Sequence, residues 1–383
     1  MNVPFHKPYI TSEEINAVTE VLKKGWLTMG PRTVEFENKF KSYIGSKYTI
    51  ALNSCTAALH LALHAIGIKE GDEVLLPTIT FPATAEVVCY FKAKPVFIDV
   101  EKDTHNIDAT KLEEKINSKT RAIIPVHYGG QPCDMGQIMQ VAKKYNLRVI
   151  EDAAHALPSR YKNKKIGVIS DLTCFSFYAT KTLTTGEGGM VATKNKNWAE
   201  KIRVMRLHGM NRDAWKRYSS VGSWFYEVVD AGFKYNMTDI QAALGIVQLK
   251  KIEFMWRKRK EIAECYNEAF EDSEEIITPV IKNDRETSWH LYAIKLNLDA
   301  LKIDRNTFME KLREKGVNTS VHFIPLYRHL FYRKKFGYRK KSFPNSEWIY
   351  KRTFSLPIYP SMKKSEIAKV ISVIKDVGSK NRR

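Results

Sequence analysis

Little in this sequence points to export, membrane insertion or a metal centre. Cysteine is scarce: the five residues among 383 (Cys55, Cys89, Cys133, Cys174 and Cys265) are odd in number, widely separated and without CxxC spacing. That pattern excludes a disulfide framework and offers no zinc or iron–sulfur ligand set, as expected of reduced thiols in a cytoplasmic protein. Long apolar runs are missing as well. The most apolar segment, 74–91, is interrupted by Pro77, Pro82 and Glu86, and the opening residues MNVPFHKPYITSEE have no apolar stretch behind a basic start. Neither a membrane span nor an export signal is expected. Acidic residues are in deficit, 42 against 62 Lys and Arg, for a net charge of +20. A nucleic-acid partner would suit that charge. The positive residues are nevertheless spread along helical faces, with one dense run at 328–341, so a solvated basic surface is the preferred reading and no nucleic-acid partner is expected. Attraction of a small diphosphate substrate is a third reading.

What is present is a globular composition, 44% hydrophobic and 27% charged, in a chain long enough for one large and one smaller domain. Short β-branched or apolar runs at 48–52, 73–76, 95–100, 121–126, 147–150 and 172–177 alternate with amphipathic helices such as 57–66 and 135–145. This alternation predicts an α/β fold with a mostly parallel central sheet flanked by helices. Thr11 and Glu14 form a capping box for the first helix, which Gly25 closes. A stretch without proline, 238–270, predicts one long connecting helix. Beyond it, strands at 289–296 and 318–323 and helices at 305–315 and 363–377 make a smaller C-terminal α+β domain, and the basic tail 380–383 is expected to fray. The domains are then 1–237, with the connecting helix 238–270, and 271–383.

Three segments carry chemistry. Asn53-Ser-Cys-Thr-Ala-Ala-Leu59 follows a strand and opens a helix, where free N–H groups and the helix dipole can seat a phosphate, although Ser/Thr caps are common. Val149-Ile-Glu-Asp-Ala-Ala-His155 delivers Asp152 and His155 at the C-terminal end of a strand, where α/β sheets bind ligands. Asp152 reads either as a strand-end cap or as the carboxylate that keeps a pyridine nitrogen protonated, and His155 either as a satisfied buried histidine or as a site residue. In the third segment, Lys181 follows an apolar strand and precedes Gly186-Glu-Gly-Gly189, surroundings in which a lysine can lose its proton and form a Schiff base.

Together with Gly25-Trp-Leu-Thr-Met-Gly-Pro31, Gly71-Asp-Glu-Val-Leu-Leu-Pro77, Ile124-Pro-Val-His-Tyr-Gly-Gly130, Tyr235-Asn-Met-Thr-Asp-Ile-Gln-Ala-Ala-Leu-Gly245, His322-Phe-Ile-Pro-Leu326 and Phe354-Ser-Leu-Pro357, these segments resemble the DegT/DnrJ/EryC1/StrS sugar aminotransferases over nearly the whole chain. The resemblance implies the fold type I architecture, with a large domain binding pyridoxal 5′-phosphate. It implies Lys181 as the Schiff-base lysine, Asp152 on the ring nitrogen, His155 near the ring hydroxyl and Phe81 stacked on the ring. Thr56, Ala57 and Ser176 match the phosphate cradle, and Asn236 a residue that reaches the phosphate from the other subunit of a homodimer with shared active sites. His208, Trp215, His322, Arg328 and His329 fall in regions that border the nucleotide-sugar pocket in relatives. Lysine at 181, where a dehydrating branch of the family has histidine, favours transamination. L-Glutamate and a nucleotide-linked keto sugar, most like a UDP-4-keto sugar aminated at C4, are the expected partners. The family often has histidine where this chain has Tyr327.

Overall fold

Seven short strands bring the chain's most apolar runs into one sheet: β1 Tyr48–Leu52, β2 Glu73–Pro77, β3 Lys94–Ile98, β4 Thr120–Ile123, β5 Arg148–Asp152, β6 Leu172–Ser176 and β7 Gly189–Thr193. The structure, a computed structural model, describes residues 1–210 and 225–383. The strands lie in the order β1-β7-β6-β5-β4-β2-β3, and every pairing is parallel except those of β7, which runs against both of its neighbours. Successive side chains enter opposite faces: Val74 and Leu76 join one apolar cluster and Leu75 the other, and Ile150 and Val149 divide in the same way. Buried on both sides, such strands read as continuous apolar runs, which is why they are visible in the sequence.

Helices cover both faces. In chain order they are α1 Ser12–Lys24, α2 Pro31–Ile44, α3 Cys55–Ile66, α4 Ala83–Tyr90, α5 Met135–Lys144, α6 Lys196–Met205, α7 Asp239–Lys250, α8 Ile252–Phe270, α9 Arg305–Glu314, α10 Leu330–Phe336, α11 Pro344–Arg352 and α12 Lys364–Lys380. On one face α2 sets Phe36 and Phe40 against Phe175 and Phe177, with ring centroids 5.1–5.5 Å apart. Each such ring contributes about 2 kcal/mol by leaving water. On the other face lies α3, with Leu59, Leu61 and Leu63 fully packed. Ser54 caps α3 by accepting from the Ala57 N–H at 3.0 Å, and Gly67, at φ 82°, ends it. The Thr11–Glu14 capping box and the left-handed Gly25 bound α1 as the sequence predicts.

A second sheet, antiparallel, is made of β8 Ile276–Ile277, β9 Tyr292–Leu296 and β10 Thr353–Leu356 in that order. Tyr266, Phe270, Tyr292, Phe308 and Phe354 fill the core beside it. A third, two-residue-strand sheet joins 160–161, 164–165 and 285–286. No helix among the described residues is long and apolar enough to cross a membrane.

Four expectations are corrected. Residues 238–270 are two helices, α7 and α8, which break at Lys251; its ammonium is drawn to Thr11 Oγ1 at 2.6 Å and Glu14 at 3.1 Å on α1. Residues 318–323 make no strand. They meet β10 through the Ser320–Ser355 bridge and a His322–Ser355 side-chain bond, and β10, not this segment, completes the sheet. The tail is pinned rather than frayed: Arg382 Nε pairs with Glu275 at 2.5 Å and the Arg383 N–H donates to the Ala300 carbonyl at 3.0 Å. Finally, β7 was absent from the predicted strands.

Candidate active site

The parallel strands end at one edge, and the polar residues of the sequence segments gather there. β5 delivers Asp152 and β6 delivers Ser176. The chain then makes a loop held by Phe177 N–H to the Gly188 carbonyl (2.8 Å), Thr185 N–H to the Phe177 carbonyl (2.9 Å) and Lys181 N–H to the Tyr178 carbonyl (2.9 Å), and returns as β7. These residues, the first turn of α3 and the segments beside the second sheet at 290–291, 320–323 and 358 line a cavity of about 590 Å³. It is lined by Thr56, Phe81, Asp152, His155, Ser176, Lys181 and His322, which the sequence assigns to the site, by Ser54, Cys55 and Phe323 from the same motifs, and by Phe5, His6, Thr80 and His290, which the sequence does not single out.

The electrostatics follow from burial. Burial pulls the Lys181 ammonium down to about 8, against the raising influence of Cys55 and Asp152. Burial also pushes the Asp152 carboxyl above its ordinary value, which the Thr84 hydroxyl at 2.8 Å and the Ala154 N–H at 3.1 Å resist. The neighbouring Glu151 points to the opposite face. There burial would raise it, but bonds from His127 (2.9 Å), Ser170 (2.7 Å) and Thr173 (2.8 Å) outweigh that and hold it low. His155 is kept neutral by burial and by Lys181. Its Nδ1 accepts from the Gly129 N–H at 3.3 Å, which places the proton on Nε2. The rings of His290 and Phe323 flank it at 4.4 and 5.9 Å. His322 is lowered to about 4 by burial and by Lys181, and its Nδ1 bonds Ser355 Oγ at 2.9 Å. Burial pushes the Cys55 thiol up, so it offers no thiolate.

Other sequence-named residues lie apart from this cavity. Ala57 is behind it, its N–H given to the Ser54 cap. Asn236 is buried and bridges to Leu52, and its Oδ1 has no partner among the described residues. His208 is exposed, with φ 59°, and Trp215 is outside the described residues. Arg328 and His329 do not line the cavity either. Arg328 is committed to Glu347, with Nε 2.8 Å from Oε1, and stacks on Tyr350, whereas His329 caps α10 through its backbone. A charge run in sequence cannot distinguish a free arginine from one paired to a residue further along the chain. No group of three or more His, Cys, Asp or Glu among the described residues could hold a metal ion.

The packing between α3 and β7 is tight. A Cβ on Gly189 would stand 2.3 Å from the Ser54 carbonyl oxygen and 2.7 Å from the Cys55 nitrogen. Backbone on both sides cannot give way, so Gly189→Ala is expected to cost about 2–3 kcal/mol in urea unfolding. By displacing the first turn of α3, it should also weaken binding of a phosphate-bearing ligand.

A buried carboxylate, an amine poised near neutrality and a helix N-terminus thus meet in one cavity. This donor set fits pyridoxal 5′-phosphate: an acceptor for a protonated ring nitrogen, a nucleophile for an aldehyde and N–H groups for a phosphate. The description of the DegT/DnrJ/EryC1/StrS aminotransferase family matches residues 8–375. The chain is 56% identical over 380 residues to the protein MJ1066 of Methanocaldococcus jannaschii, covering 99% of this chain and 98% of that one. It is 48% identical over 376 residues to the spore coat polysaccharide biosynthesis protein SpsC of Bacillus subtilis, covering 98% and 97%. Among solved structures, Spr1654 of Streptococcus pneumoniae, assigned as a sugar aminotransferase, superposes with a TM-score of 0.92 at 34% identity in both its PMP and PLP forms, covering 99% of this chain and at least 99% of that one. Helicobacter pylori PseC, an aminotransferase of pseudoaminic acid biosynthesis, gives a TM-score of 0.92 at 30% identity, covering 99% and 100%.

Proposed function

We propose, from the premise that this chain belongs to the DegT/DnrJ/EryC1/StrS aminotransferase family and uses pyridoxal 5′-phosphate, that it transfers an amino group from L-glutamate to a nucleotide-linked keto-deoxy sugar. The site chosen is C4 of a UDP-linked 4-keto sugar. The observation that carries this reading is the convergence of Lys181 and Asp152 on one cavity at the strand ends. SpsC and PseC, both at work in the synthesis of sugars or their polymers, support the substrate class.

Lys181 would hold the cofactor covalently through its amine, and Asp152 would accept a hydrogen bond from the protonated ring nitrogen and so keep that proton on the ring. Thr56 and Ser176 would seat the phosphate, Phe81 would cover the ring, and the Nε2–H of His155 would donate to the ring hydroxyl. Bound there, the cofactor supplies an electron sink for the carbon that loses a proton. Released as a free amine, Lys181 Nζ takes the proton from the α-carbon of the donor and later delivers one to the carbon of the sugar that becomes aminated. His322, in the wall next to Phe323, faces the sugar side; His208 and Trp215 belong to the same substrate region. The working unit is a cytoplasmic homodimer in which Asn236 reaches the partner's phosphate through its amide Nδ2–H groups, one of which it gives here to the Met237 carbonyl at 3.3 Å.

Purified protein mixed with pyridoxal phosphate should show a visible absorption band. L-Glutamate should bleach it, and a panel of UDP-, dTDP- and GDP-linked keto sugars should restore it, the UDP-4-keto sugars fastest. Absence of any band would refute the reading. Bleaching without recovery on any nucleotide sugar would turn it towards a non-nucleotide keto sugar or cyclitol.

A further inference from the structure

Behind Asp152 lies a pair of buried hydroxyls to which the chemistry above gives no task. Thr84 Oγ1, on the first turn of α4, donates to Asp152 Oδ2 at 2.8 Å, and Thr80 Oγ1 lies 2.7 Å from Thr84 Oγ1. Thr84 and Thr80 are 0% and 1% exposed, and Thr80 lines the cavity. An ionised carboxylate only accepts hydrogen bonds, so the single hydroxyl proton of Thr84 is committed to Asp152 and Thr80 must give its own proton to Thr84. The chain therefore runs in one direction, from the cavity to the carboxylate, for as long as Asp152 is charged. Valine would fill the same space in α4 without the bond, so packing does not explain a hydroxyl here.

We propose that Thr84 is a positioning residue for Asp152, supported in turn by Thr80, and that this two-hydroxyl chain keeps the carboxylate ionised and oriented for a protonated ring nitrogen. The inference rests on the role given to Asp152 above. Hydrogen bonds to the charged form of a buried acid oppose the cost of burying it. The other bond to Asp152 comes from the Ala154 N–H on Oδ1, and Lys181, His127, Cys55 and Cys174 are the titratable groups near enough to act on it. Thr84 is thus the side chain that fixes Oδ2. Losing a bond to a charged group at an otherwise intact site should loosen the ligand that the charge receives.

The test is the affinity of cofactor-free protein for pyridoxal phosphate, by spectroscopic titration, in Thr84→Val, Thr84→Ser, Thr80→Val and the double valine variant. Thr84→Val should bind about 10- to 30-fold more weakly, and Thr84→Ser, which keeps the hydroxyl, should stay within about threefold of the parent. Thr80→Val should lose about threefold, and the double variant should be no weaker than Thr84→Val alone, because the chain is already cut. Serine as weak as valine, losses that multiply in the double variant, or a Thr84→Val that binds like the parent would each overturn the positioning role while leaving the function intact. A parent protein that does not bind pyridoxal phosphate would overturn the reading of the site, and this role with it.

Discussion

Lys181→Ala abolishes the visible band of the bound cofactor and lowers transamination by on the order of 10⁴-fold or more, because one residue supplies both the covalent anchor and the proton carrier. The structure explains why this lysine is suited to both. Burial lowers it to about 8 while Cys55 and Asp152 keep it from falling further. Compared with its ordinary value of 10.5, that raises the share of free amine near neutral pH on the order of a hundredfold. The sign gives a pH test: covalent loading of cofactor-free protein should quicken as pH rises through about 8 and level off above it. Lys181→Arg separates charge from nucleophilicity. It retains a cation beside Asp152 but has no amine, so it should be as inactive as alanine. Retention of more than about one hundredth of the activity in either variant would remove Lys181 from the reaction.

The sequence carried the site's chemistry better than its walls. Asp152 and Lys181 were legible because each follows an apolar run that had to be a buried strand, and the end of such a strand is where a polar residue means something. The seat at Ser54–Thr56 was legible for a related reason, a cap between a strand and a helix. Thr84, His6 and His290 were not, since nothing local distinguishes a threonine in α4 or a histidine beside Trp289; they matter only because the fold brings them to Asp152 and to the cavity. β7 escaped notice because it begins on a glycine immediately after a glycine turn, and its five residues are short and mostly small. The break at Lys251 has no proline or glycine to announce it, and the hydroxyl and carboxylate that receive its ammonium there, Thr11 and Glu14, lie some 240 residues earlier in the chain. Arg328 carries a pairing that the sequence does not show. It looked available, yet its partner Glu347 comes from α11.

Asp152→Asn should lower turnover by roughly 10³-fold, about 4 kcal/mol of transition-state stabilisation, while leaving the cofactor-free protein as stable as the parent or more so. The two effects have opposite signs because the carboxylate is placed for a ligand rather than for the fold. Burial pushes its pKa above the ordinary 3.8, so the folded state holds that proton more tightly than the unfolded chain. The protein therefore loses stability as pH rises from the ordinary aspartate value through the folded one. Asparagine has the same shape and carries no such penalty. Its amide oxygen can still accept from the Ala154 N–H or from Thr84, but not from both as a carboxylate can. If the amide NH₂ faces Thr84, the hydroxyl chain must reverse and Thr80 must find a new acceptor, which tempers the gain. Neither orientation provides the negative charge that keeps a ring nitrogen protonated, so the loss of activity does not depend on which one forms. Urea unfolding of the cofactor-free proteins at pH 7, set beside the rate at which glutamate bleaches the cofactor band, measures both effects. A variant that loses stability along with activity would show Asp152 to be structural, and one that keeps its activity would show that the ring nitrogen is held elsewhere.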